Sequence, residues 1–330
     1  MAKGYFVLGR QPFDRIYSEQ LRGEIERCLD GSVPHHTADE VQANPALLHD
    51  ADVVLSGWGG PRFDQALLDA APNLKIVLYG AGSIRNIVTD AFWQRGVHVC
   101  SAWAANAVPV AEFTFAQVIL CLKRAWHFAR ETRELGTRPA DRTVPGAYGS
   151  TVGVIGLGQI GRLVCNWLKT LDVHVIAYDP YADEAQAAAL GVELVSLEAL
   201  FQRSDVATLH APNLPETRGM ITGEHFASMK PSASFINTAR GALVREEEMI
   251  DVLRRRPDVY AVLDVTCPEP PEPGSPLYEL PNVVLTPHIA GSQGRECHRM
   301  GRYMLDELKR WLANEPLQWE VTQQQAALMA

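Results

Sequence analysis

The sequence is short of clustered features, and each absence removes a class of protein. Its six cysteines, Cys28, Cys100, Cys121, Cys165, Cys267 and Cys297, are dispersed, with no CxxC pair and no Cys/His spacing of the zinc-ribbon kind. This argues against a disulfide framework and a structural metal, so no metal is expected, and a reduced, cytoplasmic compartment is. No window is read as holding the roughly 18 apolar residues of a membrane span. The start, MAKGYFVLGR, lacks a signal-peptide pattern. The expectation is a soluble intracellular protein with no membrane partner. A net charge of −9, with one basic run at Arg254-Arg255-Arg256, argues against nucleic acid, which needs clustered cations to displace counterions. That run follows a helical pattern and reads as its solvated C-terminal end. There is no G-x-S-x-G elbow, which removes the α/β hydrolases.

What remains is an ordinary globular composition, 47% hydrophobic and 21% charged over 330 residues, enough for two domains. Short β-branched runs recur between longer amphipathic stretches. GYFVLG, ADVVLSG, LKIVLYG and GVHVCSA come first; TVGVIG, HVIAYD, DVATLHA, ASFINTA, VYAVLDV and NVVLTPH follow from residue 151. Apolar runs of this length alternating with helical patterns predict parallel sheets covered on both faces, hence an α/β chain of two doubly wound domains. Between the two series, Asn106 to about Leu135 reads as one long helix with a proline in its first turn. GTRPADRTVPGAYGS after it reads as a loop. Met300, Met304, Leu308 and Leu312 lie at helical spacing in a final helix from about Arg295.

Gly156-Leu157-Gly158-Gln159-Ile160-Gly161 follows a strand and opens a helical pattern. Gly156 suits the tight turn, Gly158 lets backbone approach a pyrophosphate, and Gly161 lets helix pack on strand. The next strand ends in Asp179, where an acid that binds ribose hydroxyls is expected. A carboxylate there repels a 2′-phosphate and no arginine follows in Pro180-Tyr181-Ala182-Asp183, which favours NAD over NADP. The plain alternative is a strand-end acid that caps the next helix.

Hydride exchange with a 2-hydroxy acid needs a cation for the carboxylate, a proton carrier at the hydroxyl carbon and a group that orients that carrier. Three strand ends offer them. Arg240, after FINTA, presents a planar fork for a carboxylate. Glu269 sits between prolines in DVTCPEP, and His288 breaks the strand LTPHIAG. A carboxylate beside a histidine raises its pKa and fixes its tautomer. Taken singly, these are equally a surface ion-pair arginine, a solvated loop acid and a satisfied strand-end histidine. Their succession after a dinucleotide motif favours the catalytic reading.

NAVPVAE (106–112), GLGQIG (156–161), LHAPNLPETRGMI (209–221), INTARGALV (236–244), DVTCPEP (264–270) and TPHIAG (286–291) together make the chain resemble the D-isomer-specific 2-hydroxyacid dehydrogenases over nearly its whole length. The resemblance implies a flavodoxin-like substrate domain, 1–103 plus 295–330, and a Rossmann NAD-binding domain, 104–294. It implies that Arg240 binds substrate carboxylate and carbonyl, that His288 is the general acid/base, and that Glu269 is its partner. Asp264, Thr238 and Ala239 are implied beside the nicotinamide and its ribose, with His210, Pro212 and Thr217 also on the cofactor. It further implies a homodimer joined through the NAD-binding domains, and a small 2-hydroxy or 2-keto acid as substrate. A corepressor-like NAD(H) sensor is the alternative use of the same fold.

The chain departs from the family in one loop. Where phosphoglycerate dehydrogenases have GxGxDNVD, it has Gly80-Ala81-Gly82-Ser83-Ile84-Arg85-Asn86-Ile87, with the acids absent and Arg85 added. Ala81, Gly82 and Arg85 are expected at the substrate carboxylate. Trp58 either lines a pocket for an apolar substrate tail or packs beneath that loop. No regulatory domain is expected after the final helix.

Overall fold

A computed structural model describes residues 2–328, and the chain divides into two compact units, 1–107 with 292–330 and 108–291. The first holds a five-stranded, all-parallel sheet built from β1 (Gly4–Val7), β2 (His35–His36), β3 (Val53–Ser56), β4 (Ile76–Tyr79) and β5 (His98–Ser101), in the order β2-β1-β3-β4-β5. This is the flavodoxin-like order, which reverses between β1 and β3. β3 and β4 are wholly buried and β1 and β5 largely so, and helix Cys297–Leu312 seats Met300, Met304 and Leu308 in that core. The chain then returns along β5, where Ser101 N donates to Trp319 O and Val321 N to Val99 O. Buried Glu307 fastens this return by accepting the N–H groups of Gln318 and Trp319.

The second unit carries β6 (Thr151–Ile155), β7 (His174–Tyr178), β8 (Glu193–Leu194), β9 (Val206–Leu209), β10 (Ser234–Asn237), β11 (Tyr260–Leu263) and β12 (Val283–Leu285). All are parallel, in the order β12-β11-β10-β9-β6-β7-β8. This is the Rossmann winding, with its reversal between β6 and β9. The two doubly wound sheets predicted from the hydrophobic runs are thus both present, and all ten runs are strands. The sequence reading misses only β2 and β8, each two residues long.

Two expectations need correction. The single helix read from Asn106 to Leu135 is two, Trp103–Leu122 and Ala125–Leu135. Arg124 takes a left-handed backbone, φ 48°, and its N–H closes the first helix on Cys121 O at 2.8 Å. Neither Lys123 nor Arg124 is a helix breaker, so the sequence carries no signal for the break. The helix also begins earlier than read, where Ser101 Oγ accepts Trp103 N, so Pro109 falls in its interior. Second, Trp103–Leu122 is long and apolar enough to cross a membrane by length and composition, contrary to the reading above, and 56% of it is buried within the structure. Ala111, Val118, Cys121 and Leu122 on it belong to the core of the second unit. The run Arg254-Arg255 does end the helix Glu246–Arg255, and Arg256 pairs with Asp258 at 2.7 Å.

Candidate active site

The Rossmann order turns the sequence motifs into one row. Across the carboxyl edge of the second sheet, neighbouring strands β12, β11, β10, β9, β6 and β7 lead into His288, Glu269, Arg240, His210, the Gly156 turn and Asp179. With strands about 4.8 Å apart, this row runs about 24 Å. It has a phosphate turn and an acid at one end and an acid–base pair at the other.

The phosphate turn has the geometry its glycines predicted. Gly156 adopts φ 93°, and a Cβ there would lie 2.8 Å from Ala211 N; one on Gly161 would overlap the Gly156 carbonyl. At Gly158 nothing lies within 4 Å of a Cβ position. This glycine precedes helix Gln159–Leu168, whose first N–H groups receive no side-chain cap. An uncapped helix start beneath a bare backbone fits a pyrophosphate. Asp179 is not a helix cap, since Asp183 caps the next helix. Its carboxylate accepts Leu157 N at 2.7 Å and Tyr181 N at 2.8 Å, which fixes it beside the turn.

At the other end of the row, His288 Nδ1 and Glu269 Oε1 are 2.5 Å apart, with both side chains substantially exposed. Arg240 is held by its own loop: Nη1 donates to Ala239 O at 2.7 Å, and Asn237 Nδ2 donates to Arg240 O at 3.1 Å. Burial pulls the Arg240 guanidinium below its ordinary pKa, opposed by the Glu269 carboxylate. A cation that is partly desolvated gains more from an incoming carboxylate than one in open water. Thr238 is buried against Thr114, with their hydroxyl oxygens 3.0 Å apart, and Ala239 N donates to Asn237 Oδ1.

Asp264 is only 2% exposed. Its carboxylate accepts Thr286 Oγ1 at 2.6 Å, Ile289 N at 2.9 Å and Ala290 N at 2.8 Å, while its carbonyl accepts His288 N at 3.0 Å. Between these contacts His288 holds φ 54°, an uncommon conformation outside glycine. Resemblance sets Asp264 beside the nicotinamide; in the structure its carboxylate also holds the histidine turn. Asp264 therefore latches His288.

His210 is buried, Nε2 lies 3.1 Å from Thr208 Oγ1, and Nδ1 has no protein partner. Burial pushes its pKa down to about 3. An imidazole depressed from 6.5 contributes stability fully above pH 6.5 and loses it as pH falls towards 3. The loss of thermal stability across that window is therefore expected to be shallower in His210→Asn than in the parent. Parallel unfolding profiles for the two proteins would contradict this. The Thr217 hydroxyl donates to Pro212 O at 2.6 Å and accepts Leu214 N at 2.9 Å, so it shapes its loop from within.

In the first unit, Ala81 N already donates to Tyr79 O at 2.8 Å, which removes it as a donor to substrate. Buried Ser101 donates to the carbonyls of Ala81 and Gly82, tying down the loop. Gly82 N and Ser83 N have no backbone partner among the described residues. Arg85 is exposed on the same loop. Trp58 is half-buried at the end of β3; it packs on the core and the Arg15 guanidinium stands 5.6 Å from its ring. Sequence reasoning missed Ser101, Asn237 and Glu246, the last of which accepts Cys267 N at 3.0 Å.

A Rossmann sheet that carries a phosphate turn at one end of its edge and an Arg, a Glu and a His on three neighbouring strand ends at the other has the layout of a dinucleotide-binding domain. Residues 115–290 match the model described as D-isomer specific 2-hydroxyacid dehydrogenase, NAD binding domain. The chain is 33% identical over 263 residues to a glyoxylate reductase of Korarchaeum cryptofilum, covering 78% of this chain and 79% of that one. It is 37% identical over 252 residues to a D-3-phosphoglycerate dehydrogenase of Mycobacterium bovis, covering 76% of this chain and 48% of that protein. It thus spans about half the length of the phosphoglycerate dehydrogenases it matches. A D-isomer specific 2-hydroxyacid dehydrogenase from Lactobacillus delbrueckii ssp. bulgaricus, in its NAD-complexed form, shares the fold with a TM-score of 0.80 at 23% identity, covering 97% of this chain and 100% of that one. The chain belongs to the D-isomer specific 2-hydroxyacid dehydrogenase family, and 115–290 is its NAD-binding domain.

Proposed function

We propose that the protein interconverts a D-2-hydroxy acid and its 2-keto acid with NAD. The observation that carries this reading is the 2.5 Å His288–Glu269 pair, one strand away from the Arg240 loop on the sheet edge that holds the phosphate turn. When bound, the nicotinamide gives or takes the hydride. Gly156, Gly158, Gln159, Ile160 and Gly161 hold the pyrophosphate and Asp179 the adenosine ribose. His210, Pro212, Thr217, Thr238, Ala239 and Asp264 line the rest of the cofactor site. Arg240 orients the substrate through its carboxylate and carbonyl. His288 protonates the carbonyl oxygen on reduction and takes that proton back on oxidation, with Glu269 holding its Nδ1. The N–H groups of Gly82 and Ser83 receive the substrate carboxylate, with Arg85 and Trp58 towards its tail. We assign 1–107 with 292–330 as the substrate domain. We further propose a cytoplasmic homodimer joined through the NAD-binding domains, in which the exposed Ile119 and Leu135 are covered.

The test is a panel of 2-keto acids assayed with NADH and with NADPH by loss of nicotinamide absorbance. At least one keto acid is expected to be reduced, with NADH preferred. Asp179→Ala should weaken NADH and narrow that preference by about tenfold, the worth of roughly 1.4 kcal/mol. No turnover with any keto acid defeats the reading, and equal use of NADPH by the parent defeats the cofactor assignment.

A further inference from the structure

Each chemistry-bearing loop of the second unit is fastened by polar side chains. Asn237 ties the Arg240 turn, and Asp264 latches His288. The third loop, Thr266–Pro270, carries Glu269 and is the most exposed of the three. Within itself it has one tie, Thr266 Oγ1 donating to Pro268 O at 2.7 Å. Its other anchor comes from outside, where Glu246 Oε2 accepts the Cys267 N–H at 3.0 Å.

Glu246 opens helix Glu246–Arg255, the element that directly follows the Arg240 turn. The same stretch meets the Glu269 loop a second time at Gly241, where a Cβ would overlap the Thr266 carbonyl and Cys267 N. Two neighbouring contacts thus join the arm that bears Arg240 to the arm that bears Glu269. The carboxylate is half-buried, and burial raises its pKa against the opposing pull of the Cys267 N–H. In that half-buried position its acceptor is committed to the Cys267 N–H.

We propose that Glu246 is the positioning residue for Glu269, fixing through Cys267 the loop from which Glu269 reaches His288. This rests on the dehydrogenase reading above. Glu246 touches neither substrate nor cofactor in that reading; it sets where the Glu269 carboxylate stands.

The test compares Glu246→Ala, Glu246→Gln and Glu247→Ala for kcat, the KM for NADH, the pH profile of kcat/KM, and backbone hydrogen exchange in a peptide spanning 264–268. Glu246→Ala is expected to lower kcat about tenfold or more, since small displacements of catalytic groups carry losses of that order. It should also speed exchange at Cys267 and shift the profile, with the KM for NADH changed less than about twofold. Glu246→Gln keeps an oxygen acceptor for Cys267 N–H and should restore kcat and slow exchange. Glu247→Ala removes the same first-turn charge and should change nothing. An active parent whose Glu246→Ala variant keeps its kcat and pH profile overturns the positioning role alone. A parent that reduces no 2-keto acid overturns it together with the dehydrogenase reading. A glutamine variant as impaired as the alanine variant, with Cys267 exchange still slow, also overturns it.

Discussion

Replacing His288 with Asn is expected to lower kcat for the active 2-keto acid by about 100-fold to 10,000-fold, the range that general acid–base catalysis supplies, while the affinity for NADH stays within about twofold. Asparagine is the apt choice because it tolerates the left-handed backbone that His288 adopts, so the turn survives while the proton carrier is lost. His288 is nearly half exposed and belongs to no core cluster, so the fold has little stake in the ring. NADH binding, followed by fluorescence titration, separates the chemistry from the cofactor site at the far end of the row. An unchanged kcat in this variant would remove His288 from the mechanism.

The second large effect is expected at Asp264, and it should appear in both stability and rate. Asp264→Ala strips three charge-assisted partners from a buried position, Thr286 Oγ1, Ile289 N and Ala290 N. Buried donors left unpaired make a loss of about 3 kcal/mol or more the expected result. The freed turn then relaxes from its left-handed conformation at His288, and a fall in kcat on the order of 100-fold follows. Asp264→Asn should recover little of either. Ile289 N–H and Ala290 N–H meet opposite carboxylate oxygens, so an amide sets its own NH2 against one of them. Retained kcat in a destabilised Asp264→Ala variant would make this residue structural only.

Asp264 also shows where sequence reasoning stops. Its surroundings were legible: DVTCPEP after an apolar run marks a strand end, and strand ends at a Rossmann edge face ligand. What the sequence does not carry is which backbone N–H groups lack a partner. That is what makes Asp264 the holder of a turn, and what gives Glu246 and Ser101 their parts. The same gap hid that the Ala81 N–H is taken by Tyr79 O. By contrast, the strand ends that lead to Arg240, Glu269 and His288 were legible because an apolar β-branched run precedes each. All ten strands with an apolar run were legible for that reason. His35–His36 and Glu193–Leu194 were not, because two polar-containing residues at a sheet margin leave no periodic signal. The helix break at Arg124 escaped for want of a glycine or proline.

Those two minimal strands have a consequence for behaviour in crowded solution. A sheet margin with unpaired N–H and C=O groups is a template for another chain. Here the first sheet ends in β2, two residues long, and in β5, which the returning segment around Trp319 and Val321 covers. The second ends in β8, of two residues, and β12, of three. Among the described residues, then, neither sheet offers a bare margin longer than three residues. Margins this short give intermolecular β-pairing little template while the two cores remain folded.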